Sequence, residues 1–201
     1  LEGQTRQSPV AGKIVVYLPF EDQQGVIAML RQLPDYEFYL YGPGLMHRSV
    51  GNVHTRALSR LGFKADLVSA AGVITNAGFE LIAECLTLGI KVIAKALVGQ
   101  VEQASNAAAL AQLGYAEVVA DLSAAALRQW LLRAERVEIS YPVVHARIAG
   151  WLADGMRESV AALSGELWED VVVSRGAGRK PGQLPARRLT QPLQTISAGS
   201  S

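Results

Sequence analysis

One cysteine in 201 residues excludes a disulfide framework and any Cys-rich zinc site. The three histidines, His47, His54 and His145, are scattered, so no metal site is expected. No apolar run approaches the ~18 residues of a membrane-spanning helix. The start, Leu1-Glu2-Gly3-Gln4, has neither the basic nor the apolar region of a signal peptide. It also lacks an initiator methionine, so the chain is expected to be a processed or excised piece of something longer. Charge is sparse too, at 18% of residues. What is present is apolar: half the chain, enough for a large core and too much for a disordered protein.

The net charge of +1 hides an asymmetry. Residues 175–201 carry Arg175, Arg179, Lys180, Arg187 and Arg188 and no acid, which leaves 14 bases against 18 acids elsewhere. An acidic body with a basic end does not fit a nucleic-acid-binding domain, whose folded part would carry the basic face. The end is rich in Gly, Pro, Ser and Gln, and is expected to be disordered. It reads either as a solvated terminus or as a weak attraction to anionic lipid.

Along the chain, short β-branched runs alternate with helical stretches. Lys13–Leu18, Tyr36–Tyr41, Asn52–His54, Gly72–Thr75, Lys91–Ala96 and Tyr115–Val119 read as strands. Val26–Leu33, Arg60–Ala71, Phe79–Leu88, Val101–Leu113 and a helix capped by Ser123 fall between or after them. One long helix is expected over Val143–Leu163, with a weaker segment around Leu167–Val173. This alternation predicts an α/β, doubly wound, mostly parallel Rossmann-like sheet with helices on both faces. The expected layout is a linker over 1–12, one domain over 13–174 and the basic end over 175–201.

Such sheets bind ligands at the carboxyl ends of their strands. The turn Asn76-Ala77-Gly78 opens a helix there. Asn76 is expected to cap that helix, and Gly78 removes bulk where unpaired N–H groups and the positive helix end would meet a phosphate. It is equally an ordinary strand–helix junction. On the helix, Glu80 and Glu84 share one face at 100° per residue. They form either a solvated acidic face or a carboxylate able to accept from two ribose hydroxyls. The next helix opens with Gly99, Gln100, Val101, Glu102 and Gln103, whose amides suit sugar hydroxyls and phosphate oxygens, or simply a polar helix start. No Gly-x-Gly-x-x-Gly follows the first strand, which disfavours a dinucleotide site.

The stretch Val73–Gly89, then Lys91–Ala96, then Gly99–Ala107 resembles the donor-binding half of GT-B glycosyltransferases, the branch of the peptidoglycan N-acetylglucosaminyltransferase. Val16-Tyr17-Leu18-Pro19-Phe20-Glu21-Asp22 and the Gly-Gln-x-Glu-Gln form resemble a little-characterised bacterial and archaeal branch of these enzymes. The resemblance covers about residues 13–135 and implies one half of a GT-B fold. It implies that Glu84 holds the ribose of a nucleoside diphosphate-sugar, with Ala77 and Gly78 at the diphosphate. It implies Gln103 at the donor sugar and Leu58 near a uracil ring. Glu102 stands where a first glutamine is expected. Pro19-Phe20-Glu21-Asp22 replaces the usual Gly-Gly-Ser loop, with two acids that would repel a diphosphate unless they face the acceptor or a bound cation.

The implied function is donor binding, with UDP-sugar as substrate and no tightly bound cofactor. The acceptor would be held by a further domain of the same protein or by a partner subunit, and the isolated domain is expected to turn nothing over. The expected place is the cytoplasm, at the inner membrane face if the acceptor is lipid-linked. The catalytic base is unassigned, His47 and His54 being candidates in principle only. A UDP-sugar 2-epimerase-like domain and a non-catalytic Rossmann-like regulatory module are the alternatives.

Overall fold

The computed structural model describes residues 6–176 and the backbone of residues 187–188. The described residues divide into two compact units. One runs up to Glu138 and includes Arg175 and Gly176; the other is Ile139–Ser174 with residues 187–188. The sequence pattern had joined 13–174 in one domain, whereas the contacts divide after Glu138.

The first unit is built on β1 (Lys13–Tyr17), α1 (Gln23–Leu30), β2 (Glu37–Tyr41), β3 (Arg48–Val50), β4 (Val53–Arg56), α2 (Arg60–Val68), β5 (Gly72–Asn76), α3 (Phe79–Thr87), β6 (Lys91–Lys95), α4 (Val101–Leu113), β7 (Glu117–Val118) and α5 (Ala124–Leu132). The sheet order is β3-β4-β2-β1-β5-β6-β7, parallel throughout except for the edge hairpin of β3 with β4. The expected α/β doubly wound sheet is therefore the observed one.

Side chains alternate across the sheet. Ile14, Val16, Leu18, Phe38, Leu40, Ile74 and Ile93 form one buried cluster with α1 and α5, through Val26, Leu30, Leu127 and Trp130. Val15, Val73 and Val92 alternate to the opposite face, where α2, α3 and α4 bury Leu67, Ile82 and Leu110. Burial on both faces is why these strands read as continuous apolar runs.

The structure departs from the expected elements in four places. The single strand over Asn52–His54 is half of a hairpin, β3–β4, turned at Gly51 with φ 64°. The hairpin is polar on its exposed strand, so it lacks an apolar signature. The long helix over Val143–Leu163 is two helices of the second unit, α6 (Val144–Ala153) and α7 (Val160–Glu169). Gly155 and Met156 both take positive φ between them, a conformation that ends a helix. The segment β8 (Arg136–Ser140) was unmarked in sequence, and its burial alternates strictly as in a half-exposed strand. It joins β9 (Val172–Gly176) and β10 (Arg187–Arg188) in a second, three-stranded sheet. Arg175 and Gly176, read as tail, close β9, and Arg187 and Arg188 pair with Val173 and Val172. The rest of the tail and residues 1–5 of the linker lie outside the described residues.

Cys85 is fully buried on α3, and burial pushes its thiol pKa up, with the nearby Glu84 charge adding to the effect. The thiolate is the reactive form. Native protein is therefore expected to resist a thiol-specific chromogenic disulfide, and unfolded protein to react once per chain. Fast labelling of the native state would contradict this burial.

Candidate functional site

Six parallel strands end on one edge of the first unit. The chain leaves β1 toward β2 on one side and returns to β5 on the other. The crevice between β1 and β5 is the point where strand order reverses, which is where open α/β sheets hold ligands.

Two turns flank this crevice. After β1, Glu21 N–H donates to the Leu18 carbonyl, and the Gln23 amide donates to the carbonyls of Leu18 and Glu21 at 2.8 Å each. Asp22 caps α1, accepting from the N–H groups of Gln24 and Gly25. After β5, Ala77 N–H donates to the Lys95 carbonyl and Gly78 N–H to that of Asn76. Asn106 on α4 donates to the Ala77 carbonyl at 3.1 Å, which fixes the turn against the next helix.

Asn76 does not cap α3, contrary to the sequence expectation. It is the last residue of β5 and 5% exposed, and its amide donates to Glu21 Oε1 and the Lys95 carbonyl at 3.3 Å each. Gly78 is the cap residue, and no side chain satisfies the first turn of α3. The backbone donors of that turn therefore stay free on the crevice edge, with Gly78 open toward solvent. Asn76 Oδ1 and Gln23 Oε1 are buried with no partner among the described residues.

The two acids of the β1 turn have different fates. Asp22 spends its carboxylate on α1, while Glu21 faces Lys95, whose Nζ lies 3.0 Å from both Glu21 oxygens. Neither acid of this turn is therefore unpaired: Asp22 caps a helix and Glu21 faces a cation. Glu21, Asp22, Lys95, Gln32, Asp121 and Ser123 contribute to a cleft of about 590 Å³. Lys95 is the only cation among the described residues that line it. Sequence reasoning missed Lys95 and Asp121. A charge closing the strand Lys91–Lys95 at its carboxyl end was the available signal.

The other predicted residues ring the edge without lining that cleft. Glu80 is exposed and Glu84 half-buried along α3. Gly99, Gln100 and Glu102 are exposed, and Gly99 takes φ 79° in the turn before α4. Gln103 folds back, its Oε1 accepting from Leu97 N–H, and so holds the turn that carries Gly99 and Gln100. Leu58 is exposed before α2, which is anchored by edge-to-face contacts of Phe63 with Tyr17 and Tyr41. Phe20, Leu58, Leu61, Phe79, Val98 and Val101 are each more than half exposed and all belong to these edge loops or first helical turns. Exposed apolar side chains gathered on one edge mark a surface that meets a ligand or another protein body. Of the two histidines, His54 bonds Ser49 and Glu37 along the hairpin, and His47 is exposed just ahead of β3, whose start pairs near the carboxyl end of β4.

Among the described residues, no group of three His, Cys, Asp or Glu could hold a metal ion, and no helix is long and apolar enough to cross a membrane.

The model of the family described as Glycosyl transferase family 1 matches residues 4–134. No curated protein matches the chain. Among solved structures it is similar to the glycotransferase of kitacinnamycin, 21% identical, covering 65% of this chain and 37% of that one at a TM-score of 0.48. It is also similar to the glycosyltransferase SnogD from Streptomyces nogalater, 22% identical, covering 62% and 35% at 0.47. The matched region thus spans little more than a third of either protein.

Proposed function

Because the chain belongs to glycosyl transferase family 1, we propose that its first unit binds the nucleoside diphosphate-sugar donor, a UDP-sugar, of a GT-B glycosyltransferase. The observation that carries this reading is the uncapped start of α3 at the reversal of strand order, open at Gly78 and followed on the same helix by the half-buried Glu84. Free N–H groups beside the positive helix end favour a diphosphate. As the sugar leaves, charge grows on the diphosphate, and donors already aimed at it lower the barrier. Glu84, one to two turns farther along, accepts from the ribose hydroxyls. Leu58 and its apolar neighbours offer a surface for the base, and the Gly99–Gln103 turn faces the sugar.

The acceptor hydroxyl and the group that deprotonates it belong to a further domain of the full-length protein or to a partner subunit, which the apolar edge is suited to meet. The same reading has the reaction in the cytoplasm with no tightly bound cofactor. A lipid-linked acceptor would bring it to the inner membrane face.

Thermal unfolding of the full chain with UDP, UDP-sugars, other nucleotides and NAD tests this. A ligand at ~100 times its Kd adds about 2.7 kcal/mol of stability. Stabilisation by UDP and UDP-sugars over NAD is expected, and no shift with any nucleotide sinks the reading. Glu84→Gln is expected to weaken UDP about tenfold, in the range of hydrogen bonds to a charged group, and to leave pyrophosphate unchanged. Equal loss for both ligands would remove Glu84 from the ribose.

A further inference from the structure

The Glu21–Lys95 pair lies at the carboxyl edge of the sheet. It bridges the crevice between the β1 turn and the end of β6, with side chains only 20% and 17% exposed. Three donor contacts converge on one carboxylate: Lys95 Nζ to each oxygen at 3.0 Å, and Asn76 Nδ2 to Oε1 at 3.3 Å. The backbone on both sides is pinned, by Gln23 on the β1 turn and by Ala77 N–H on Lys95. A partly buried ion pair recovers little of its desolvation cost, so it is poor evidence of a stabilising device. This one lies in a cleft rather than in the core, and holds the only cation among the described residues that line the cleft.

We infer that Glu21 is an internal stand-in for the ligand's phosphate: in the empty protein its carboxylate occupies an anion seat made by Lys95 and Asn76, and a diphosphate displaces it. This rests on the donor-binding reading above and adds a regulation to it. The exchange keeps Lys95 from standing unpaired in a half-buried place when no donor is bound. It also makes the site selective for charge, since a ligand must outcompete a monoanion. A diphosphate does so through greater charge and more acceptor oxygens, whereas a neutral nucleoside gains nothing from Lys95. Asn76 Oδ1, buried with no partner among the described residues, sits on the same seat and gains one if a ligand hydroxyl or water enters as Glu21 leaves.

The test is titration calorimetry of the full chain with pyrophosphate, UDP and uridine. Glu21→Gln keeps the shape and removes the competing charge. It is expected to tighten pyrophosphate and UDP about tenfold, or roughly 1.4 kcal/mol, and to leave uridine unchanged. Lys95→Gln is expected to weaken both phosphates by tenfold or more, again sparing uridine. Opposite signs at the two ends of one ion pair support exchange. Loss of phosphate affinity in both variants, or no gain in Glu21→Gln, overturns it and assigns the pair a structural role. Should Glu21→Gln fail to fold, the unmutated chain decides. The Glu21 side-chain carboxyl carbon resonance must move on saturation with pyrophosphate, and a stationary resonance overturns the exchange. An unmutated chain that binds neither uridine nor UDP defeats the donor reading instead. In that case a gain of pyrophosphate binding in Glu21→Gln still supports the stand-in, and its absence overturns it.

Discussion

Gly78→Val is expected to weaken both UDP and pyrophosphate by tenfold to a hundredfold while leaving the fold almost untouched. The backbone at Gly78 is extended, φ −73° and ψ 143°, a region that a β-branched residue favours. A Cβ there meets no atom within 4 Å. Valine is a weaker cap residue than glycine, so a cost of up to about 1 kcal/mol is expected in thermal unfolding. The new methyl groups instead fill the space in front of the free N–H groups of α3, where the phosphate oxygens must come within about 3 Å to be held. Gly78→Ala should show the same loss in smaller measure. Unchanged affinity in Gly78→Val, with the fold intact, would send the diphosphate away from this helix start. This differs from the effect at Glu84, where only the ribose-bearing ligand should suffer.

Trp130→Ala is expected to have the largest effect on stability, about 3–5 kcal/mol, as for other buried aromatic truncations. Against a total of roughly 5–15 kcal/mol, that is a large share. Trp130 is 4% exposed and belongs to the core that joins α5 to the sheet. Its ring fills the space that Gly72 leaves: a Cβ on Gly72 would lie 2.8 Å from Trp130 Cη2. The Lys91 ammonium sits 4.6 Å from the ring centre and donates to the carbonyls of Trp130, Leu131 and Arg133, closing the end of α5. Removing the indole opens a cavity and strips Lys91 of its π-face. Chemical denaturation should report the loss, with a Tm drop of roughly 6–20 °C for a chain of this size. Gly72 and Lys91 begin their strands, at the edge opposite the crevice. Below the melting transition, UDP affinity should therefore stay at the unmutated value. A stability change under 1 kcal/mol would mean that α5 is not part of this core.

The sheet was legible because its central strands are buried on both faces. Val15, Val16, Val73, Ile74, Val92 and Ile93 leave no other place for such runs. Ser123 announced one helix through its hydroxyl cap, and that cap forms. The edge strand β3 and β8 were not legible, since partly exposed strands carry a weaker apolar signature. The break between α6 and α7 rested on Gly155 and Met156, where only the folded backbone shows left-handed conformation.

The site divides in the same way. Sequence spacing placed Gly78, Glu84 and Gln103 on one helix–strand–helix run, because local periodicity sets which residues share a helix face. It could not say that Asn76 would turn from the helix to Glu21, or that Glu21 would find Lys95. Those three residues lie far apart in sequence and come together only because β1, β5 and β6 are neighbours in the sheet. By itself the sequence determined the layers, the strand ends at which such sheets hold ligands and the glycine that opens α3, all properties of local pattern. The partner of each charge was decided by strand order, which no local pattern contains.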